Sequence, residues 1–154
     1  AAIAILPFCS QGCANADSLA AAKQTFIKLY TSAVLAATEG SGGRKPSEVL
    51  TRAFHGLFKS LSHDEFAALL PEMCRILRRT PELYLKSASR SIAALSIDTS
   101  RYVGQFSAVL CERLMSETMR DDALLLLAAL TAQSSDTSSL VALGGDIHKT
   151  LVGK

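Results

Sequence analysis

The sequence has no tryptophan and only six phenylalanines and three tyrosines. The β-branched and aromatic residues that favour strands are sparse, whereas alanine, leucine and serine dominate. Helices are therefore expected to supply nearly all regular structure, and no sheet is expected. Nowhere does an apolar run reach the roughly 20 residues a membrane span needs, because Arg, Lys, Asp or Glu punctuates every leucine-rich segment. The opening run Ala1-Ala2-Ile3-Ala4-Ile5-Leu6-Pro7-Phe8-Cys9 has the apolarity of a signal-peptide core, but no basic leader precedes it and Pro7 breaks it. It reads better as a buried helix whose start is cut away. A soluble chain with no membrane partner is expected.

Four cysteines could form two disulfides, yet Cys9, Cys74 and Cys111 sit among apolar neighbours, where a free thiol behaves as a small hydrophobe. Cys9 and Cys13 are one helical turn apart, but His55, His63 and His148 are isolated from them, which leaves a zinc site short of ligands. No metal and no cofactor are expected. Unpaired thiols imply a reducing compartment, cytosol or nucleus.

What is present is helical periodicity with clear punctuation. From Asp17, or Ser18 as cap, Leu19, Phe26, Ile27, Leu29, Tyr30, Val34 and Leu35 recur at helical intervals, and Glu39-Gly40-Ser41-Gly42-Gly43 ends the run. Pro46 suits the first turn of a second helix carrying Val49, Leu50, Phe54, Leu57, Phe58 and Leu61. Ser62-His63-Asp64-Glu65 has the spacing of a capping box, with Leu61 as staple, for a helix through Phe66, Leu69, Leu70, Met73, Ile76 and Leu77. Arg75, Arg78 and Arg79 complement its negative end, and Thr80 is expected to cap the next helix with Pro81 at its first position. Further helices open at Asp98-Thr99-Ser100, at about Ala123, and after Gln133 to Ser139, the last weakened by Gly144-Gly145.

These helices repeat. Phe66 and Tyr102 open equivalent helices 36 residues apart, Leu77 and Leu114 close them 37 apart, and Leu95 and Leu130 end the following helices 35 apart. The period lies between the roughly 34 of tetratricopeptide arrays and the roughly 40 to 47 of HEAT and armadillo arrays. Leu69-Leu70-Pro71, with a proline inside the first helix, and Pro81-Glu82 leading into an alanine-rich second helix resemble the HEAT pattern, and the tetratricopeptide Trp and Gly-Tyr signature is missing. The expectation is an all-α fold, an α-α superhelix of HEAT/armadillo type truncated at both ends, with three to four hairpins. Hairpins are placed at 17–61, 63–96 and 99–133, with partial repeats at 1–14 and 137–154, each covered by neighbouring repeats of the same chain.

Leu61-Ser62-His63-Asp64-Glu65-Phe66, Leu70-Pro71, Leu77-Arg78-Arg79-Thr80-Pro81-Glu82, Asp98-Thr99-Ser100-Arg101-Tyr102 and Gln133 to Ser139 together resemble the N-terminal region of the general-control translational activator family. The likeness extends over about residues 20 to 145, and the loop Gly40 to Gly43 is longer than the family pattern. It implies a cytoplasmic HEAT scaffold that binds stalled ribosomes and promotes phosphorylation of the alpha subunit of initiation factor 2. It also implies that a stress-response kinase and an ABC-type ATPase partner engage other parts of the full-length protein.

No catalytic constellation is expected. His63, Asp64 and Glu65 are adjacent, so they point to different helix faces, and Gly144-Gly145-Asp146 lacks the strand and Lys-Ser/Thr tail of a phosphate loop. Charge is the informative feature. Residues 44–90 hold nine Lys or Arg against five Asp or Glu, a net +4, whereas 91–154 hold five against seven, a net −2. Arg75, Arg78 and Arg79 at one helix end, with Lys86 and Arg90 a turn apart on the next, are the candidate contacts to ribosomal RNA phosphates. The competing reading is a solvated face serving the helix dipole. Other functional readings are a HEAT adaptor such as a nuclear transport receptor or phosphatase scaffold, and a HEAT-like DNA glycosylase, for which the chain has little aromatic material to stack on a base.

Overall fold

A computed structural model describes residues 16–40 and 42–153, so the apolar opening run, Cys9, Cys13 and the partial repeat placed at 1–14 lie outside the described residues. Helices and turns make up the described residues, with no strand among them. The first helix, α1 (Ala16–Tyr30), continues through a π-helical stretch, Thr31–Ala36, into a last turn, Ala37–Glu39. The wider turn brings Tyr30, Val34, Leu35 and Thr38 to one buried side. Thr31 and Thr38 donate to the carbonyls of Ile27 and Val34 at 3.0 and 2.6 Å, which supplies partners where the regular ladder changes register. After Gly40 the chain folds back tightly. Gly42 has φ 79°, and a Cβ on Gly43 would lie 2.0 Å from the Thr38 carbonyl oxygen.

The single helix expected from Pro46 to Leu61 is instead two, α2 (Glu48–Ala53) and α3 (His55–Ser60), broken at Phe54 with φ −82° and ψ −3°. The break lets Phe54 and Phe58 both meet the Tyr30 ring edge-on, each at 5.0 Å between centroids. Pro46 lies before the helix and not in its first turn. Ser47 is the cap, its hydroxyl accepting the Leu50 N–H. Val49 was expected in the apolar set but is 80% exposed, because the break turns that first turn outward.

Helix α4 (His63–Arg79) begins with the expected capping box. Ser62 Oγ accepts the Glu65 N–H at 3.3 Å, and Glu65 Oε2 accepts the Ser62 N–H at 2.8 Å. Phe66, Leu69, Leu70, Met73, Ile76 and Leu77 are buried as their spacing predicts. Pro71 is on the exposed side, where water can bond the carbonyl that its missing N–H leaves unpaired. Thr80 differs from expectation: its side chain caps nothing and turns back to the Ile76 carbonyl, although Pro81 does open α5 (Pro81–Ala93). Tyr84, Leu85, Ser87, Ala88, Ser89, Ser91 and Ile92 are all buried on α5. Small residues let this helix be flanked closely on both sides. A 3₁₀ turn (Ser100–Tyr102), α6 (Val103–Leu114), α7 (Arg120–Ala132) and α8 (Thr137–Val152) complete the chain, and α8 runs through Gly144 and Gly145 unbroken.

The helices form two layers. In the first, the continuation of α1 through Thr31–Ala36 and Ala37–Glu39 packs on α4, α4 on α6 and α6 on α8; in the second, α2 and α3 pack on α5, and α5 on α7. Cross-links between repeats join residues about one period apart. Thr51 and Ser87 hydroxyls, 36 residues apart, share a buried 3.0 Å bond, and Thr99 and Ser134, 35 apart, share one of 3.1 Å. A stacked repeat of this length must place each residue beside its own counterpart, so these bonds report the period independently of the apolar pattern.

The densest cross-link joins the turn before α6 to the turn before α8. Asp98 accepts the N–H and hydroxyl of Ser100 at 2.9 and 2.5 Å and those of Ser135 at 3.2 and 2.5 Å, while Ser100 Oγ accepts the Asp136 N–H at 2.9 Å. Those donors, led by the Ser100 hydroxyl, hold the Asp98 carboxyl far below the usual carboxylate range. A depressed carboxyl lends stability that is complete above its unfolded value, near pH 4, and is lost as the pH falls below it. Asp98→Asn is therefore expected to lower the melting temperature at pH 7 and to flatten its decline below pH 4. Melting followed by circular dichroism from pH 7 to pH 2 checks this, and an unchanged acid profile would remove Asp98 from the account.

Candidate nucleic-acid interface

The five basic residues singled out from the sequence fall into two groups. Arg75, Arg78 and Arg79 occupy the last turns of α4, a place that suits their charge because the helix dipole is negative there. Glu39, at the end of α1, reaches between two of them: Arg75 donates to Glu39 and also, through Nε at 2.9 Å, to Glu72, while Arg79 donates to Glu39 at 2.6 Å. Hydrogen bonding from Arg75 is the main reason that the Glu39 and Glu72 carboxyls sit below their ordinary range. Two carboxylates thus offset two guanidiniums and link the first two repeats. Arg78 is exposed and makes no ion pair among the described residues.

Lys86 and Arg90, on α5, belong to a different place. They face α2 across two adjoining hollows of about 380 and 330 Å³ that share Glu48, Thr51 and Arg90 in their walls. Arg52 and His55 are among the other residues lining one, and Lys45 and Lys86 among those lining the other. Arg90 Nη2 donates to Glu48 Oε1 at 2.9 Å, and this bond, then the charges of Arg90, Lys86 and Arg52, hold the Glu48 carboxyl below its ordinary range. Four permanent cations surround one carboxylate there, an excess of three positive charges. The buried Thr51–Ser87 hydroxyl pair fixes the spacing between α2 and α5 beneath them.

Sequence reasoning missed Lys45, Arg52 and His55 as members of this site. The signal was available: a period near 36 sets residues 45–55 beside 81–91, and the basic residues of both segments then face each other. His63, Asp64 and Glu65 do not converge. The His63 carbonyl accepts the Tyr102 hydroxyl at 3.1 Å, and Glu65 serves the capping box and pairs with Lys23 at 2.7 Å. Among the described residues no group of three or more His, Cys, Asp or Glu is placed to hold a metal, Cys74 and Cys111 are free, and no helix is long and apolar enough to cross a membrane.

The sequence pattern of the family described as stalled ribosome sensor GCN1, N-terminal, matches residues 23–154. The chain belongs to this family. Within the GCN1 N-terminal match lie both basic groups, Glu39 and every repeat junction described above. The chain is 30% identical over 156 residues, 97% of its length, to the stalled ribosome sensor GCN1 of Mus musculus, and 33% identical over 112 residues, 71% of its length, to that of Homo sapiens. It is 29% identical over 92% of its length to the protein ILITYHIA of Arabidopsis thaliana. It spans only 4 to 6% of the length of these relatives. No solved structure matches it significantly. Membership in the GCN1 N-terminal family agrees with the resemblance read from Leu61 to Phe66 and the runs that follow it, and with an all-α array of HEAT-like hairpins.

Proposed function

We propose that this chain is a ribosome-contacting scaffold segment that works by shape and charge and catalyses no reaction. The observation that carries the reading is the concentration of positive charge on residues 44–90 of a helical array whose mouse and human relatives are named stalled ribosome sensors. Arg75, Arg78, Arg79, Lys86 and Arg90 are the proposed contacts, with Arg78 and Lys86 first among them because neither is held in an ion pair among the described residues. In a full-length cytoplasmic protein this contact anchors a scaffold whose other parts engage the stress-response kinase acting on initiation factor 2 alpha and the ABC-type ATPase partner. The alternative, a HEAT adaptor for nuclear transport or a phosphatase, has no comparable support from the relatives' names.

Sedimentation of the chain with purified ribosomes across a salt series tests the reading. The logarithm of the binding constant is expected to fall linearly with the logarithm of the salt concentration, with a slope of about −0.7 to −0.9 per phosphate contact. Arg78→Glu should weaken it, at a cost to the fold limited to the about 0.3–1 kcal/mol of reversing one charge at a helix end. Absence of binding at low salt, or binding indifferent to both salt and Arg78→Glu, would sink the proposal.

A further inference from the structure

We propose that the paired hollow between α2 and α5 is a binding site for the phosphate backbone of RNA, with Lys45, Arg52, Lys86 and Arg90 as the phosphate contacts and Glu48 as a built-in competitor for Arg90. This rests on the ribosome reading and narrows it to one face.

The lining selects the partner. Apart from Pro46 and Ala93, every residue that lines the two hollows is polar or charged. A protein partner draws its affinity from a desolvated apolar or aromatic centre, which this surface lacks. Phosphates need cations and hydroxyl or amide donors, which it has. No Phe, Tyr or Trp lines either hollow, and His55 is the one aromatic ring in their walls, too little for the successive base stacking on which single-stranded recognition is built. Backbone contact along a duplex, recognised by shape and phosphate position, is what remains.

Glu48 gives the site its particular chemistry. Its carboxylate is tied to Arg90 at 2.9 Å, with both side chains well exposed. Exposed pairs of this kind contribute little to stability, so an incoming phosphate can replace the carboxylate at small cost. Replacing Glu48 therefore removes a rival anion and leaves the Arg90 donors to the phosphate. Damage to the fold could not produce the gain in affinity that this predicts.

The test measures fluorescence anisotropy of a labelled mixed-sequence RNA duplex of about 20 bp, longer than the roughly 16 bp that a duplex-binding module covers. Lys45→Glu with Arg52→Glu should weaken binding at least about tenfold and reduce the salt slope by about two. Both residues are exposed, and neither makes an ion pair among the described residues, so the melting temperature should hold. Lys149→Glu, the same charge change on α8, should leave affinity within about twofold, and Glu48→Gln should tighten it about two- to fivefold, the size of a surface ion pair. The proposal is overturned if the double variant behaves like Lys149→Glu, if Glu48→Gln weakens binding, or if no duplex binds at about 50 mM salt. It is also overturned if polyglutamate displaces the duplex as readily as unlabelled duplex does at equal charge, which would mark an acidic-peptide surface. The two readings fail separately. Ribosome sedimentation that persists while the double variant keeps its duplex affinity removes only the groove, and loss of ribosome binding alongside groove-dependent duplex binding removes only the ribosome reading.

Discussion

Phe66→Ala is expected to destabilise the chain by about 3–5 kcal/mol, the cost of deleting a fully buried ring whose space does not refill. Phe66 is 0% exposed and meets the Tyr102 ring edge-on, with centroids 5.1 Å apart and planes at 76°. It is one of the two residues that set the 36-residue register, so the ring it touches is its own counterpart in the next repeat. Its loss removes buried apolar surface, an edge-to-face contact and the packing behind the capping box together. Against a typical total of about 5–15 kcal/mol this is a large fraction. In a stack held by contacts between neighbours, the damage should also decouple α1 to α3 from α6 to α8. Urea unfolding followed by circular dichroism should show a lower midpoint and a broadened transition. A change below about 1 kcal/mol would mean that the neighbours collapse into the space, contrary to the packing described here.

Tyr84→Phe is expected to cost about 1–3 kcal/mol, because it removes the short-bonded partner of a buried hydroxyl and leaves it only Ser91. Tyr30 and Tyr84 share a hydrogen bond of 2.6 Å between their hydroxyls, and both are fully buried between α1 and α5. Burial pushes Tyr30 up to about 12, against the smaller opposing effects of the Tyr84 and Ser91 hydroxyls, and burial pushes Tyr84 up as well. Removing the two hydroxyls together should cost less than the sum of the single changes, since neither is then left without its partner. The same pair gives a pH signature. A raised phenol lends stability that is whole below the ordinary value of 10 and is lost as the pH climbs towards the folded value of about 12. Tyrosinate absorbance from Tyr30 should therefore appear only near pH 12 or upon unfolding, and its appearance near pH 10 in the folded chain would contradict the burial.

Some features contained within a few adjacent residues were legible in the sequence, although the Thr80 cap and the place of Pro46 were not. The Ser62–Glu65 capping box needs only a four-residue spacing, and the chain performs it as written. The apolar period placed Phe66 and Tyr102 correctly because a repeat must bury equivalent residues at equivalent places. Features set by distant partners were not legible. The π-helical stretch follows Tyr30, whose hydroxyl partner is 54 residues away, and the break at Phe54 serves the same ring. For the candidate interface, composition located the excess charge but not its neutralisation. Glu39 meets Arg75 and Arg79 at separations of 36 and 40 residues, and Glu48 meets Arg90 at 42, so only the stacked repeats show which cations are already engaged.

The cross-links are unevenly shared between the two edges of the stack, and this governs how it can bend. Where the first-layer helices begin, every junction is tied: Lys23 to Glu65, Tyr102 to the His63 carbonyl, and Asp98 and Ser100 to Ser135 and Asp136. Where those helices end, the polar ties described run from Glu39 to Arg75 and Arg79, at the first junction. A stack fastened along one edge flexes like the leaves of a bound book, opening at the loose edge while the spine keeps its length. Between α6 and α8 the Ser107–Asp146 bond of 2.9 Å adds a second fastening further along, so the chain should change curvature chiefly by fanning the end of α4 from that of α6, with the serine-rich turns acting as the binding.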